Sequence, residues 1–160
     1  MSVDKLLRII EKSKFQDFLN VHDFKLVYKN HEKRGGIQDG YSVGFESHEC
    51  KLGFYLEASI GVSVIPKFSD WETTAWIDLD YVISYLRKQP IKRDNTKKNL
   101  NANRFYDEIL ANILSDLAEE FEPLFNQIIK MFKDESVVDQ WKPALEQYIK
   151  EDARRRYSLG

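Results

Sequence analysis

The residues best suited to chemistry are the three histidines and the single cysteine. Two sequence clusters, His31-Glu32 and His48-Glu49-Cys50, fall in neighbouring predicted turns. Two imidazoles, a carboxylate and a thiolate would make a tetrahedral zinc site if these turns met. However, one turn precedes the second predicted strand and the other follows it, so in an antiparallel meander they lie at opposite ends of the sheet. We therefore predict that these are surface turn residues and that no metal site forms.

Nucleophilic catalysis requires a nucleophile, a base within hydrogen-bond reach and a group that orients the base. Cys50 lies two residues from His48, and that spacing within a turn does not make a catalytic dyad. The glycines at Gly35, Gly36 and Gly40 match no phosphate-binding pattern, because no helix and no Lys-Ser/Thr pair follows them. The sequence predicts no catalytic residue and no cofactor, and it leans toward a protein that is not an enzyme.

Charge is segregated along the second half of the chain. A basic stretch runs from Arg87 to Arg104, and no Lys or Arg then occurs before Lys130. The basic stretch carries no interleaved aromatic residue and precedes an acidic helix, so we do not favour nucleic-acid binding. The acidic helix could instead meet a basic protein partner. A solvated linker beside a solvated helix face is the competing interpretation. The acidic candidates for partner binding are Asp116, Glu119, Glu120 and Glu122.

Two tryptophans, Trp71 and Trp76, flank a short polar segment. One of them is expected to close the core. The other is a candidate for a binding surface, because tryptophan is enriched among the residues that dominate interface affinity. Packing at the core or at its edge is the alternative for both.

Composition limits the class of protein. The chain has 160 residues, of which 42% are hydrophobic and 13% aromatic, which is enough apolar surface for a folded core. The net charge of −2 gives no reason to expect nucleic acid or an anionic membrane as partner. With one cysteine, no intrachain disulfide can form, and the polar N-terminus lacks the apolar core of a signal peptide. These features, without any long apolar run, predict a cytoplasmic protein.

The first half of the chain predicts one helix followed by an antiparallel meander. The helix spans 3–19 with Ser2 as its N-cap, and the first two strands lie at 24–28 and 41–46. Every even position from Leu52 to Val64 is apolar. That parity fits one very long strand or, as we favour, a hairpin whose loop is Ser59-Ile60-Gly61 with Gly61 in the left-handed conformation. The opposite face is expected to meet solvent, and it carries Lys51, Tyr55, Glu57 and Ser63.

The second half is predicted to be helical. A capping-box spacing at Ser69-Asp70-Trp71-Glu72 suggests a short helix, and Asp78 caps a firmer one that ends before Pro90. Residues 91–102 are a polar linker, and helices then occupy 103–157, with a restart at Pro123. The last helix is expected from Trp141 to Arg156, with Pro143 in its first turn.

Clustered strands followed by clustered helices predict an α+β fold. We expect a four-stranded antiparallel meander covered on one face by helices, with a helical C-terminal part. Residues 1–160 form a single domain: 1–90 hold the first helix, the sheet and the helix after it, 91–102 the linker, and 103–157 the C-terminal helices. The apolar stripe within 105–132 either wraps the sheet or forms a homodimer interface.

The stretch from Phe24 to Leu86 resembles small bacterial α+β proteins of the immunity-protein type, the partners of polymorphic toxins. The segments that carry the resemblance are Val62-Ser63-Val64-Ile65-Pro66, Trp76-Ile77-Asp78-Leu79 and Val82-Ile83-Ser84-Tyr85-Leu86. The resemblance implies a non-enzymatic protein that neutralises a toxin through a protein interface. The alternative from another class is a small-ligand-binding or enzymatic domain with a pocket between sheet and helices.

Overall fold

The chain begins with two short helices. The computed structural model describes residues 2–33, 39–91 and 106–159. Helix α1 (Val3–Lys12) is capped by Ser2, whose Oγ accepts from the Lys5 amide at 3.1 Å, as predicted. The single predicted helix breaks at Ser13, which is extended, and α2 (Lys14–Val21) follows. Ser13 Oγ donates to the Ile10 carbonyl at 2.7 Å and accepts from the Phe15 amide, so one serine ends one helix and starts the next.

The sheet is antiparallel, with its strands side by side in chain order. Its members are β1 (Lys25–Glu32), β2 (Gly40–Glu46), β3 (Cys50–Leu56), β4 (Ile60–Pro66) and β5 (Ile77–Asp78). The predicted α+β class and antiparallel meander are confirmed. The count of four strands was one short, because β5 has two residues and pairs only with Ser63 and Val64 of β4. A strand of that length leaves no alternating pattern in the sequence.

The hairpin between β3 and β4 has a three-residue loop, but not the predicted one. Leu56 pairs with Ile60, so the loop is 57–59, and Glu57 donates its amide to the Ser59 carbonyl at 2.9 Å. Gly61 lies within β4 opposite Tyr55, and its φ is not in the left-handed region. The predicted loop at Ser59-Ile60-Gly61 and the role given to Gly61 were therefore wrong. A three-residue loop anywhere along the hairpin preserves the even parity that the apolar side chains show.

One face of the sheet forms the core with the helices. Its apolar side chains meet α1, α2 and α4 (Tyr106–Phe121), and the Phe15 ring lies edge-on to Phe54 at 5.0 Å. Complete burial of a side chain of this size contributes roughly 1.5–3 kcal/mol to folding. The buried strand residues of this face are Tyr41, Val43, Phe45, Leu52, Phe54, Leu56, Ile60, Val62 and Val64.

The remaining helices extend the same core. Helix α3 (Leu79–Arg87) follows β5, a 3-10 turn (Glu122–Leu124) holds Pro123, and α5 (Phe125–Met131) leads to α6 (Glu135–Leu159). The last helix begins earlier than predicted, so Pro143 lies inside it and not in its first turn. Helix α6 packs on α3 and α5. The prediction of a linker over 91–102 falls outside the described residues from 92 onward.

The apolar stripe of α4 is buried within the chain. It contributes Tyr106, Leu110, Leu114, Leu117 and Phe121 to the same hydrophobic cluster as the sheet. These helices therefore cover the sheet, which was one of the two alternatives. Over the described ranges, no helix is both long enough and apolar enough to span a lipid bilayer.

Candidate functional site

The second face of the sheet is covered by the segment 67–76, which connects β4 to β5. We predicted that this face meets solvent, and for two of its residues that was wrong: Lys51 is 9% exposed and Ser63 is 2% exposed. Lys51 Nζ donates to the Ser69 carbonyl, and Ser69 Oγ donates to Glu135 Oε1 of α6 at 2.9 Å. The connecting segment is thus tied both to the sheet beneath it and to the last helix.

The predicted short helix at Ser69-Asp70-Trp71-Glu72 does not form. The segment consists of turns, and Asp70 Oδ1 accepts from the Glu72 amide at 2.7 Å. An aspartate that bonds the backbone two residues on stabilises a turn in competition with a helix. The turns leave both tryptophans lying on the sheet.

Glycines form the floor beneath the aromatic rings. Gly44 and Gly53 are cross-strand partners, and each lies under a tryptophan. A Cβ added at Gly44 would lie 2.8 Å from Trp71 Cζ2, and one at Gly53 would lie 2.7 Å from Trp76 Cε3, with other ring atoms closer still. Only glycine permits this approach, which is a common reason for glycine within a strand.

The rings pack against one another as well as on the floor. Tyr28 of β1 stacks parallel on Trp71, with centroids 5.2 Å apart and planes 5° apart. Trp76 meets Trp71 edge-on at 6.0 Å and donates its indole N–H to the Trp71 carbonyl at 2.9 Å. Lys51 Nζ lies 5.1 Å from the centroid of a Trp71 ring. We predicted that one tryptophan closes the core; instead, both are half-exposed members of one surface cluster.

An open cleft of about 560 Å³ lies on this face, here called the aromatic cleft. Its volume is in the range of pockets that take small organic ligands. Aromatic side chains and carboxylates supply much of its wall. The residues that line it are Tyr28, Asn30, Glu32, Gly40, Tyr41, Ser42, Tyr55, Glu57, Ser63, Trp71, Glu72, Trp76 and Asp78.

Asp78 is a half-buried acid of the cleft wall. It occupies the N-cap position of α3, as predicted, but its side chain makes no capping hydrogen bond. Its Oδ1 instead accepts from the Tyr55 hydroxyl at 2.9 Å and from Ser63 Oγ at 3.4 Å. Burial raises the pKa of Asp78, and these two hydrogen bonds oppose that shift.

The tyrosine hydroxyl beside Asp78 is held in its protonated form. Burial, and then the neighbouring carboxylate of Asp78, raise the pKa of Tyr55. Burial also raises the pKa of Tyr28, with smaller contributions from Glu72 and Asp70. The tyrosines are therefore hydrogen-bond donors and ring surfaces in this cleft. Ser63 is buried with its hydroxyl engaged by Asp78, so it is not presented to a ligand as a nucleophile. The tyrosine side chains can donate hydrogen bonds and offer ring surface, so the arrangement of the cleft suits the binding of a ligand.

The acidic candidates lie elsewhere. They sit on α4 and the 3-10 turn after it, and α4 packs on the opposite face of the sheet from the tryptophans. Lys14 forms an ion pair with Glu119, and His22 Nε2 lies 3.1 Å from Glu122 Oε2. Asp116, Glu119 and Glu122 are exposed, and Glu120 is half-exposed. The structure thus brings Trp71 and Trp76 together but places the acidic residues on a separate surface.

The histidine and cysteine candidates are dispersed. His31 Nε2 lies 2.8 Å from Asp39 Oδ2, and the His31 ring stacks on Tyr41 at 4.5 Å. Cys50 is buried, and burial raises the pKa of its thiol to about 12. His48 is exposed in the turn between β2 and β3. Within the described part of the chain, no three His, Cys, Asp or Glu side chains converge as metal ligands.

Sequence reasoning missed Tyr28, Tyr55 and Asp78 as site residues. The available signal was the set of glycines at Gly44, Gly53 and Gly61, each inside a strand of the structure, although Gly61 was assigned to a loop in the sequence analysis. Gly61 makes room for the Tyr55 ring in the same way as the other two make room for the tryptophans. Compared with known proteins, the chain matches no family model, no curated protein and no solved structure at a significant level.

Proposed function

We propose that the protein is a non-enzymatic binding protein and that its ligand occupies the aromatic cleft. The observation that carries the proposal is an open cleft of about 560 Å³ whose walls are built from stacked aromatic rings and hydrogen-bonding groups. A pocket between the sheet and the helices was the expectation for a ligand-binding domain. That layer is filled by fully buried side chains such as Phe15 and Phe54, whereas the cleft opens on the other face.

The cleft is also built in advance of any ligand. The glycine floor fixes the height of both indoles, the Trp76 N–H is bonded to the Trp71 carbonyl, and Lys51 ties the segment to the sheet. Side chains that are already ordered lose little conformational freedom when a ligand arrives, which favours affinity. Preorganisation of this kind supports a binding role over a merely structural cover for the sheet.

The proposal can be tested by screening a library of small organic compounds against ¹⁵N-labelled protein. The three tryptophans give three indole N–H signals, and Trp141 lies at the junction of α5 and α6, away from the cleft, with its indole donating to Met131. A ligand of the cleft should shift the Trp71 and Trp76 signals and leave Trp141 unchanged. Trp76→Ala should abolish binding of that ligand, and the matched control Trp141→Phe should retain it.

Two results would count against the aromatic cleft. One is a library from which no compound shifts Trp71 or Trp76. The other is a ligand whose affinity is the same in Trp76→Ala as in the wild type, since that ligand would have to bind elsewhere.

Binding of a protein partner through the acidic surface is the second candidate, and the exposure of Asp116, Glu119 and Glu122 favours it. The toxin-neutralising role belongs to this candidate. Replacing Glu119, Glu120 and Glu122 by lysine should weaken capture of the partner, while Glu146→Lys on α6 should not. A homodimer through 105–132 stays a prediction without support from the structure, because the stripe is buried internally. We place either role in the cytoplasm, consistent with a single, buried cysteine.

A further inference from the structure

We infer that the group received by the aromatic cleft is a cation, namely an organic ammonium or guanidinium group. This inference rests on the proposed function and specifies its ligand class. The first support is charge. None of the described lining residues of the cleft is a lysine, an arginine or a histidine. The carboxylates that carry this support are those of Glu72 and Asp78, since Glu32 and Glu57 also line the cleft but interact with other groups of the chain.

The second support is the placement of the rings. An ammonium or guanidinium group is attracted to the face of an indole or a phenol, and more strongly when water is excluded. Trp76 and Tyr28 are half-exposed and line the cleft, so they offer ring surface to a ligand. The cluster already holds one ammonium in this way, since Lys51 Nζ lies 5.1 Å from a Trp71 ring centroid.

The third support is the carboxylate of Asp78. This side chain is half-buried, and its two hydrogen bonds come from neutral hydroxyls, those of Tyr55 and Ser63. Burial of a charge is costly unless an opposite charge accompanies it. Burial raises the pKa of Asp78, and a cation in the cleft would reverse that effect by favouring the ionised carboxylate.

Other ligand classes fit less well. An anion would be repelled by the carboxylates of Glu72 and Asp78, and no basic side chain among the described lining residues offsets that repulsion. A neutral saccharide could stack on the indoles, but it gains nothing from the charge of the carboxylates. The charge of Glu72 and Asp78 therefore favours a cation over a neutral ring of the same size.

The inference is tested with two probes of nearly identical shape: choline, and 3,3-dimethyl-1-butanol, in which a carbon replaces the charged nitrogen. The readout is the shift of the Trp76 indole N–H signal during titration, with Trp141 as internal reference. We expect choline to bind at least roughly tenfold more tightly than its neutral isostere. Its affinity should fall as salt is raised from about 0.01 M to about 1 M, because the Debye length shortens from about 30 Å to about 3 Å.

Charge removal in the cleft provides the matched comparison. Glu72→Gln and Asp78→Asn keep the shape of the side chain and should each weaken choline, with little effect on the neutral probe. Glu146→Gln, on the exposed surface of α6, should change neither.

Two other results would contradict these expectations. If the neutral isostere or glucose binds in the cleft as tightly as choline, the inferred charge selectivity is wrong while the cleft remains a binding site. If neither choline nor any library compound shifts Trp76, both the inference and the proposed function fail.

Discussion

Gly53→Ala is the substitution that most directly tests how the cleft is built. The new methyl group would lie 2.7 Å from Trp76 Cε3 and 2.8 Å from Cη2, well inside ordinary contact distance. The ring must therefore tilt or leave its seat on the sheet. Because the Trp76 side chain is half-exposed, it can move outward without disturbing the backbone, so the protein should still fold.

The expected magnitude follows from two opposing effects. Inserting one methyl group into a well-packed contact costs about 1–3 kcal/mol. Alanine in place of glycine within a strand stabilises by roughly 0.5–1 kcal/mol, because the unfolded chain has less freedom to lose, and Gly53 has no positive φ that alanine would resist. The net effect of Gly53→Ala in the wild type should be a loss of up to about 2.5 kcal/mol in the free energy of unfolding.

The sign should reverse when the ring is absent. In Trp76→Ala there is no indole above residue 53, so adding Gly53→Ala should stabilise that variant by roughly 0.5–1 kcal/mol. Urea unfolding of all four proteins, followed by far-ultraviolet circular dichroism, completes the double-mutant cycle. If Gly53→Ala has the same sign and size in both backgrounds, Trp76 does not rest on Gly53 and the described cleft is incorrect.

Two further predictions concern titratable groups. Because burial holds the pKa of Asp78 above its usual 3.8, this group favours the folded state most when it is protonated, and its contribution declines as the pH rises through the range above 3.8. The stability of Asp78→Asn relative to the wild type should therefore increase between pH 4 and pH 7, by at most about 1.4 kcal/mol per pH unit. The measurement is the urea unfolding midpoint of both proteins across this pH range. Parallel pH profiles of the two proteins would contradict the prediction. Cys50 is buried, and burial raises the pKa of its thiol to about 12. The reagent 5,5′-dithiobis(2-nitrobenzoate) should therefore fail to react with the native protein at pH 8 and should react fully with the protein unfolded in urea. Fast labelling of the native protein would show that the thiol is exposed.

The helix-covered face of the sheet and the helices on it could be predicted from the sequence, because their apolar residues recur at the spacing of a strand or of a helix. The even-numbered residues from Leu52 to Val64 face one side whatever the exact loop, so the hairpin was predictable while its loop at 57–59 was not. The break at Ser13 was hidden because α1 and α2 both present apolar residues to the same sheet. The two-residue strand at Ile77–Asp78 has no period to detect.

The cleft was misjudged for a physical reason. A strand face of glycine, serine and lysine has the composition of a solvated surface. Alternation alone cannot distinguish a face that meets solvent from a face that is covered by another segment of the chain. The glycines of this face leave room for the large rings that rest on them. The rings come from positions 27 and 23 residues farther along the chain, since Trp71 lies on Gly44 and Trp76 lies on Gly53. A contact between a glycine and a distant aromatic residue leaves no local pattern, although three glycines on one face of adjacent strands pointed to close approach.

Asp78 shows how a local rule that is only half obeyed can indicate function. An aspartate in the N-cap position usually accepts a hydrogen bond from the first turn of its helix, and that bond contributes about 0.5–2 kcal/mol. Here the residue holds the N-cap position, yet its carboxylate turns toward Tyr55 and Ser63 in the wall of the aromatic cleft. The helix gives up its cap and the carboxylate is buried against neutral donors, two costs that local stability does not explain. Departures from local consistency are expected at functional sites and need compensation from other interactions. A cation in the cleft would supply that compensation, which is why charge selectivity, and not affinity alone, is the property to measure.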